Sequence, residues 1–197
     1  MAELIRWSER ALLLALSIGV VIRIAPQVIN HPQMVLFLAA ELLGIVLILI
    51  QRRGEWSTEF YPVFIAFVGT AGGMLVVPQG NQLVPDAISV LLIVGGTTIS
   101  LAAKLFLGRS FGLVAANRGV KDRGVYRLVR HPMYLGYILN QLGFLMLFFS
   151  PWNVAVYAVA WTAQYLRTVE EEKFLCRDPV YRAYAKRVRF RLVPGLA

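Results

Sequence analysis

Six long apolar segments, separated by shorter polar connections, constrain this chain more than any other feature. They cover residues 11–29, 34–50, 61–77, 87–107, 133–149 and 153–169. As helices they would be roughly 25–32 Å long, about the thickness of the hydrocarbon core of a bilayer. A content of 58% hydrophobic and 16% charged residues agrees with this interpretation. The sequence therefore predicts an all-α, polytopic integral membrane protein with about six transmembrane helices.

Lysine and arginine are concentrated in alternate connections. Residues 1–10, 51–60, 108–130 and 170–197 hold nearly all of them, whereas residues 30–33, 78–86 and 150–152 hold none. By the positive-inside rule, both termini and the long connection before the fifth segment are expected to be cytosolic. A net charge of +9 could suggest a nucleic-acid partner, but this alternation argues against one. The single cysteine, Cys176, excludes an intramolecular disulfide, and no metal site is expected.

The last two apolar segments are expected to form a helical hairpin. Ser150 is a good N-cap and Pro151 a good first helical residue. Pro132 can likewise begin a helix, with His131 at the cap position. From Ser150, about 30 Å of helix leads back to His131, and about the same length leads forward to Glu171. The hairpin should therefore bring Glu171 to the level of His131.

This geometry places a basic stretch against an acidic one. Residues 123–136 contain three arginines, one histidine and two tyrosines, and residues 170–172 are three successive glutamates. A helix N-terminus adds free N–H groups and partial positive charge, so the site suits a small ligand with a carboxylate and an ammonium. From charge pattern alone, a simpler interpretation is favoured. The arginines would only obey the positive-inside rule, and the glutamates would neutralise them.

Two motifs occupy the positions that the hairpin brings together. They are Arg-His-Pro-Met-Tyr-Leu-Gly at 130–136 and, after the hairpin, Arg167 with Glu-Glu-Lys-Phe-Leu at 171–175. With these motifs the sequence resembles the isoprenylcysteine carboxyl methyltransferase family, and related membrane phospholipid N-methyltransferases share the pattern. The resemblance covers roughly residues 107–194, including the tail pattern Tyr181, Tyr184, Val188, Arg189 and Pro194. It implies an integral membrane enzyme that uses S-adenosylmethionine and releases S-adenosylhomocysteine.

The resemblance also implies where the cofactor lies. The implied cofactor-binding residues are Arg130, His131, Pro132, Tyr134, Leu135, Gly136, Glu171 and Glu172. Chemically, Arg130, His131 and the helix N-terminus suit the carboxylate of the cofactor, and the glutamates suit its ammonium or its ribose hydroxyls. Tyr134 can stack or donate a hydrogen bond, and Gly136 would let the ligand approach the backbone.

Two residues are candidates for a role in the reaction, which is an in-line displacement at the methyl carbon. Alignment and desolvation supply most of the acceleration of such a step. Arg167 could orient a carboxylate acceptor bidentately, or it could be an interfacial arginine whose side chain only reaches the headgroups. A carboxylate acceptor needs no base. An amine or thiol would have to lose a proton, and His131 is then the candidate base.

The chain is expected to divide by role. Residues 1–106 are interpreted as a transmembrane scaffold, and residues 107–197 as a catalytic half with a cytosolic cofactor site. The favoured function is carboxyl methylation of a lipophilic, isoprenylcysteine-like acceptor that enters sideways from the bilayer. The alternatives are N- or S-methylation of a phospholipid or other lipophile, and a non-catalytic membrane protein with a degenerate cofactor site. The tail at 180–191 should be an amphipathic helix that lies in the membrane interface or folds over the site.

Three further expectations concern the apolar segments themselves. Arg23 and Glu41 should lie some 9–11 Å beneath the same surface on adjacent helices, and a structural ion pair between them is expected. A transporter function would rest on these two residues alone. Lys104 is expected to snorkel at the end of the fourth segment. Gly69 and Gly73 form a small-xxx-small pair, which favours close helix packing over a cofactor-binding loop.

Overall fold

Seven α-helices make up most of the described chain. The computed structural model describes residues 2–52, 55–56, 60–72, 75–112 and 116–195. The helices are α1 (Ala2–Ile24), α2 (Met34–Leu49), α3 (Phe60–Gly72), α4 (Asp86–Leu107), α5 (Pro132–Leu147), α6 (Pro151–Leu175) and α7 (Pro179–Arg187). Two short strands, β1 (Glu55–Trp56) and β2 (Ala116–Asn117), pair in antiparallel orientation and join two loops. The all-α fold class is confirmed.

Helices α1 to α6 overlap the six predicted apolar segments, although α1 covers Ala2–Ile24 and α3 ends at Gly72. Within the described residues, one helical stretch, Asp86–Ser110, is long and apolar enough by length and composition to cross a membrane. Ser17–Ile29, Met34–Leu49 and Phe60–Thr70 are apolar but shorter. The helices are therefore confirmed, whereas their number of membrane crossings stays a prediction.

The predicted hairpin begins and turns at the expected residues. Pro132 and Pro151 are the first residues of α5 and α6. The Oγ atom of Ser150 accepts a hydrogen bond from the backbone N–H of Asn153 at 3.2 Å, which caps α6. His131 precedes α5 in the same way, but its side chain does not cap the helix.

The two hairpin helices do not pack along each other. Helix α5 lies along α4 and α6 lies along α3. Long side chains bridge the remaining gap, such as Phe144 and Tyr157, whose ring centroids are 6.4 Å apart. The hairpin therefore leaves room for a cavity between its two arms.

Small residues permit the close packing of α4 on α5. A Cβ atom on Gly136 would lie 2.6 Å from both the carbonyl oxygen of Gly96 and the backbone nitrogen of Ser100. Gly69 similarly brings α3 against α6, where an added Cβ would be 3.5 Å from Gln164. The packing interpretation is confirmed for Gly69. Its predicted partner at position 73 lies outside the described residues.

The charged residues of the first helices pair differently from the prediction. Arg23 and Glu41, both described, form no ion pair with each other, since Arg23 Nη1 donates to the carbonyl oxygen of Val76 at 3.1 Å. Glu41 instead lies 3.8 Å from Lys104 Nζ, which donates to the carbonyl oxygen of Ala40 at 2.8 Å. The Lys104 side chain is 2% exposed, so the snorkelling prediction was also wrong. Both predictions failed because spacing fixes the depth of a residue along a helix but not which neighbour it faces.

We expect unfolding experiments to detect energetic coupling between Glu41 and Lys104. Lys104→Met alone should lower the free energy of unfolding by roughly 1–3 kcal/mol, because a half-buried carboxylate loses its cation and the carbonyl oxygen of Ala40 loses its donor. Adding Glu41→Gln should recover much of the lost free energy of unfolding. Arg23→Gln is the matched control, and it should show no coupling to Glu41 in a double-mutant cycle measured by reversible unfolding in detergent. Coupling of Glu41 to Arg23 and not to Lys104 would contradict the observed pairing.

Candidate active site

The carboxylate of Glu172, near the end of α6, is the centre of the candidate site. Arg130 donates to it twice, from Nε to Oε1 at 2.7 Å and from Nη2 to Oε2 at 3.3 Å. Arg191 Nη2 donates to Oε2 at 2.9 Å, and His131 Nε2 lies 3.0 Å from Oε1. Burial alone would raise the pKa of Glu172, but hydrogen bonds from His131 and Arg130 outweigh it and lower the pKa to about 2. Glu172 is therefore ionised at neutral pH.

Arg130 also holds the segment that follows α7. Its Nη1 donates to the carbonyl oxygens of Val188 and Arg189 at 2.9 and 2.7 Å. The backbone N–H groups of Arg130 and His131 donate to the carbonyl oxygens of residues 190–191, each at 2.9 Å. The tail therefore lies over the site, as one of the two predicted positions requires, but the predicted helix over 180–191 ends at Arg187.

Glu171 belongs to a second, adjoining cluster. Its Oε1 accepts hydrogen bonds from Tyr134 Oη at 2.6 Å and from Arg167 Nε at 3.0 Å. The guanidinium carbon of Arg167 lies 5.3 Å from the ring centroid of Tyr134, a cation–π distance. His131 Nδ1 is 3.8 Å from Glu171 Oε2, so the imidazole lies between the two glutamates. The prediction that the hairpin brings Glu171 to the level of His131 is confirmed.

Glu170 stands apart from both clusters. Its carboxylate pairs with Lys173 of the same helix at 2.6 Å, and the side chain of Lys173 is 66% exposed. Because successive helical residues point about 100° apart, the three glutamates cannot share one face. Glu170 therefore provides a control for changes at Glu171 and Glu172.

Two cavities meet at these clusters. The loop-side cavity, of about 130 Å³, is lined in part by Arg130, His131, Glu171, Tyr126, Tyr181 and Tyr184. The interior cavity, of about 150 Å³, lies among the helices and is lined in part by Arg167, Lys104, Glu41, Ile93, Phe144 and Tyr157. Met133 and Tyr134 line both cavities. Groups bound in the two cavities can therefore approach each other beside Tyr134.

The side chains of the loop-side cavity fit S-adenosylmethionine chemically. The rings of Tyr126, Tyr181 and Tyr184 offer flat apolar surface for an adenine. The carboxylate of Glu171 suits an ammonium or ribose hydroxyls. Three nitrogen atoms of Arg130 already donate to Glu172 and to tail carbonyls, and its direct contact with the cofactor stays a prediction. In this structure Arg130 holds the tail in place over the cavity.

Three predicted cofactor-binding residues have backbone roles in the structure. Pro132 begins α5, and the N–H of Leu135 donates to the carbonyl oxygen of His131 at 3.3 Å. The face of Gly136 that lacks a side chain is filled by α4. A helix contact, and not the approach of a ligand, therefore explains the glycine there. Direct contact of these three residues with the cofactor stays a prediction.

His131 is poorly placed to act as a base on an acceptor in the interior cavity. Both of its ring nitrogens face glutamate oxygens, at 3.0 and 3.8 Å. It lines the loop-side cavity, but it is not among the described residues that line the interior cavity. His131 therefore belongs to the loop-side cavity, and its roles as cofactor ligand or base stay predictions.

Sequence reasoning missed Arg191, which contacts Glu172 directly. The tail holds several arginines, and the local sequence does not distinguish the one that turns inward. The only signal in the sequence is that side chains alternate in direction along an extended segment. This alternation places residues 189 and 191 on the same face, but it does not show which of them contacts Glu172. In the structure, Arg191 uses its side chain, whereas Arg189 contributes its carbonyl oxygen.

Comparisons with known proteins confirm the resemblance for the segment from α4 to the end of α6. Residues 88–177 match the model of the isoprenylcysteine carboxyl methyltransferase (ICMT) family. A stretch of 92 residues is 35% identical to Protein-S-isoprenylcysteine O-methyltransferase A of Arabidopsis thaliana, covering 44% of this chain and 47% of that protein. The chain therefore spans about half the length of this relative. No solved structure gives a significant match.

We expect Glu172 to contribute stability in a defined pH range. Because its pKa in the folded protein is lowered from 4.5 to about 2, its contribution is fully present above about pH 4.5 and is lost as the pH falls toward 2. Glu172→Gln should lower the free energy of unfolding at pH 7 by roughly 2 kcal/mol and should weaken the loss of stability on acidification. Thermal unfolding in detergent at several pH values measures both effects. Glu170→Gln is the control, and identical pH dependence in the two variants would contradict this role.

Proposed function

We propose that the chain is an S-adenosylmethionine-dependent methyltransferase that esterifies the carboxylate of a lipophilic, isoprenylcysteine-like acceptor. The observation that carries this proposal is the meeting of the two cavities at Met133 and Tyr134, within the segment that matches the family. The loop-side cavity offers the polar and aromatic groups that a cofactor needs. The interior cavity offers apolar walls for a lipid chain, with the cation of Arg167 where the cavities meet.

Arg167 is the residue that would orient the acceptor. Its guanidinium is held by Glu171 on one side and by Thr70 Oγ1 of α3, at 3.5 Å, on the other. A fixed cation in a cavity of low polarity attracts an anionic acceptor and restricts the direction of its carboxylate oxygens. S-adenosylmethionine supplies a methyl group on a positively charged sulfur. The acceptor carboxylate would take the methyl group without a base, with release of S-adenosylhomocysteine as the carbon–sulfur bond breaks. The neutral ester would no longer be attracted to Arg167, which favours its release.

We further propose that α1 to α6 cross the membrane, with both termini and the site on the cytosolic side. Large exposed apolar side chains occur on α1 to α4 and on α6, for example Ile22, Val35, Phe64, Leu91 and Val159. Polar side chains such as Thr97, Ser100, Asn140 and Gln164 are buried instead. An apolar exterior around a partly polar interior is the distribution that a bilayer favours. It also allows a lipophilic acceptor to enter sideways from the lipid.

Activity should be detectable with purified protein in bilayers. Labelled S-adenosylmethionine and an S-prenylated cysteine acceptor should yield a base-labile methyl ester. Arg167→Gln should lower kcat/KM for the acceptor by about 100-fold, because the charged contact that binds and orients the acceptor carboxylate is lost. Glu171→Gln and His131→Ala should weaken cofactor binding measured without acceptor, and Glu170→Gln should leave both quantities unchanged.

The same experiment distinguishes the alternatives. Transfer of label to a phospholipid or thiol and not to the prenylated carboxylate would favour N- or S-methylation. Cofactor binding without labelling of any fractionated membrane lipid or prenylated acceptor would favour a non-catalytic protein. Either result would overturn the proposed reaction.

The proposed topology can be tested by cysteine accessibility. In a Cys176→Ser background, Leu83→Cys and Arg123→Cys introduce single thiols at exposed positions in two different loops. A membrane-impermeant reagent added outside sealed cells should label position 83 and not position 123. Equal labelling of both positions from outside would contradict six alternating spans.

A further inference from the structure

A layer of polar side chains lines the interior cavity below Tyr134. Its members are Thr97 of α4, Asn140 and Gln141 of α5, and Gln164 of α6. Asn140 Nδ2 donates to Thr97 Oγ1, and Gln141 Oε1 accepts from Trp161 Nε1 at 2.8 Å. Such bonds between helices are the usual structural role of polar residues inside a helical membrane protein.

Gln164 is the exception in this layer. Its side chain is buried, with 4% of its surface exposed, and its Oε1 has no hydrogen-bond partner among the described residues. A buried acceptor without a donor is unfavourable, so native proteins seldom retain one without a reason. The remaining amide atom, Nε2, lies 3.5 Å from Gln141 Oε1.

The neighbouring side chains fix the orientation of the Gln164 amide. The indole N–H of Trp161 can only donate, so the Gln141 atom that it contacts must be the oxygen. That oxygen also faces Gln164, so the facing atom of Gln164 must be its nitrogen. The unpartnered atom of Gln164 is therefore an oxygen, which requires a donor.

Gln164 also lies where the proposed acceptor would bind. It is on the same face of α6 as Arg167 and three residues deeper, which is about 4.5 Å along the helix axis. Apolar side chains line the cavity further down, including Phe144 and Tyr157. An acceptor with its carboxylate at Arg167 and its lipid chain among these side chains would therefore place its polar head beside Gln164.

We propose that Gln164 is a specificity-determining residue that accepts a hydrogen bond from an N–H group next to the acceptor's carboxylate. The site then selects N-acylated amino-acid acceptors over lipid acids that have no amide. This inference rests on the proposed function, because it assumes that the carboxylate is held at Arg167. The physical basis is that an acceptor without the N–H leaves a buried oxygen unsatisfied, and sites built around a hydrogen bond discriminate by that difference.

Two acceptors that differ only in the amide provide the test. N-acetyl-S-farnesylcysteine carries the N–H, and S-farnesyl-3-mercaptopropionate has the same thioether and carboxylate without the acetamido group. We expect the wild-type protein to prefer the first by about tenfold in kcat/KM, as for one buried hydrogen bond. Gln164→Leu should abolish this preference by slowing only the amide-bearing acceptor. Thr162→Val, on the exposed side of the same helix, is the control and should preserve it.

A stability measurement separates recognition from a structural role. Gln164→Leu replaces an unsatisfied polar group by an apolar one of similar size, so the protein without acceptor should keep or raise its unfolding temperature. A destabilised variant that methylates both acceptors equally slowly would overturn the inference and make Gln164 structural. Equal kcat/KM for both acceptors in the wild-type protein would overturn it while leaving the proposed function intact. Methylation of neither acceptor, despite cofactor binding, would overturn the proposed function and this inference with it.

Discussion

The ionised carboxylate of Glu172 holds together three segments that lie far apart in the sequence. It bonds to Arg130 and His131 before α5, and to Arg191 in the tail, from its own position at the end of α6. Without this charge, basic side chains would face one another at short range in a partly buried site, where repulsion is strong. The same carboxylate helps to position the tail over the loop-side cavity, because Arg130 is held on Glu172 through Nε and Nη2 and donates from Nη1 to the tail carbonyls. The site is thus organised around one carboxylate, whose low pKa keeps it charged.

The helices before residue 88 contribute to the site although the family match does not reach them. Glu41 of α2 is the partner of Lys104, and both line the interior cavity with Arg167. Helix α3 contributes Thr70, whose Oγ1 lies 3.5 Å from Arg167 Nη1. The shape of the interior cavity therefore depends on both parts of the chain. Under the proposed function, differences in acceptor between relatives are to be sought in these first helices as well as in the shared motifs.

The sequence predicted those features that depend on distance along the chain. The length of the apolar segments predicted the six helices, and the turn at Ser150-Pro151 predicted the hairpin. The equal lengths of its two arms predicted that Glu171 lies at the level of His131. Features that depend on which side of a helix faces which neighbour could not be predicted from distances along the chain. Lys104 points into the protein and lies beside Glu41, and Arg23 donates to a backbone carbonyl oxygen. Tertiary packing, and not the spacing along the chain, decides which residues of neighbouring helices come into contact. Arg191 could not be selected from the tail because its partner is set by the register of an extended segment. Gln164 gave no signal, since an unsatisfied atom is recognisable only when its surroundings are known.

The clamp between Arg130 and the tail has a consequence for the order in which the protein matures. Arg130 Nη1 bonds to carbonyl oxygens 58 and 59 positions later in the chain. When a ribosome has just completed α6, which ends at Leu175, those carbonyls have not yet been synthesised. The helices that enclose the interior cavity can therefore assemble before the groups that close the loop-side cavity exist. A nascent chain interrupted before Val188 would contain helices α1 to α6 but lack the tail carbonyls that Arg130 binds, so the cover over the loop-side cavity forms only after α7 has been synthesised.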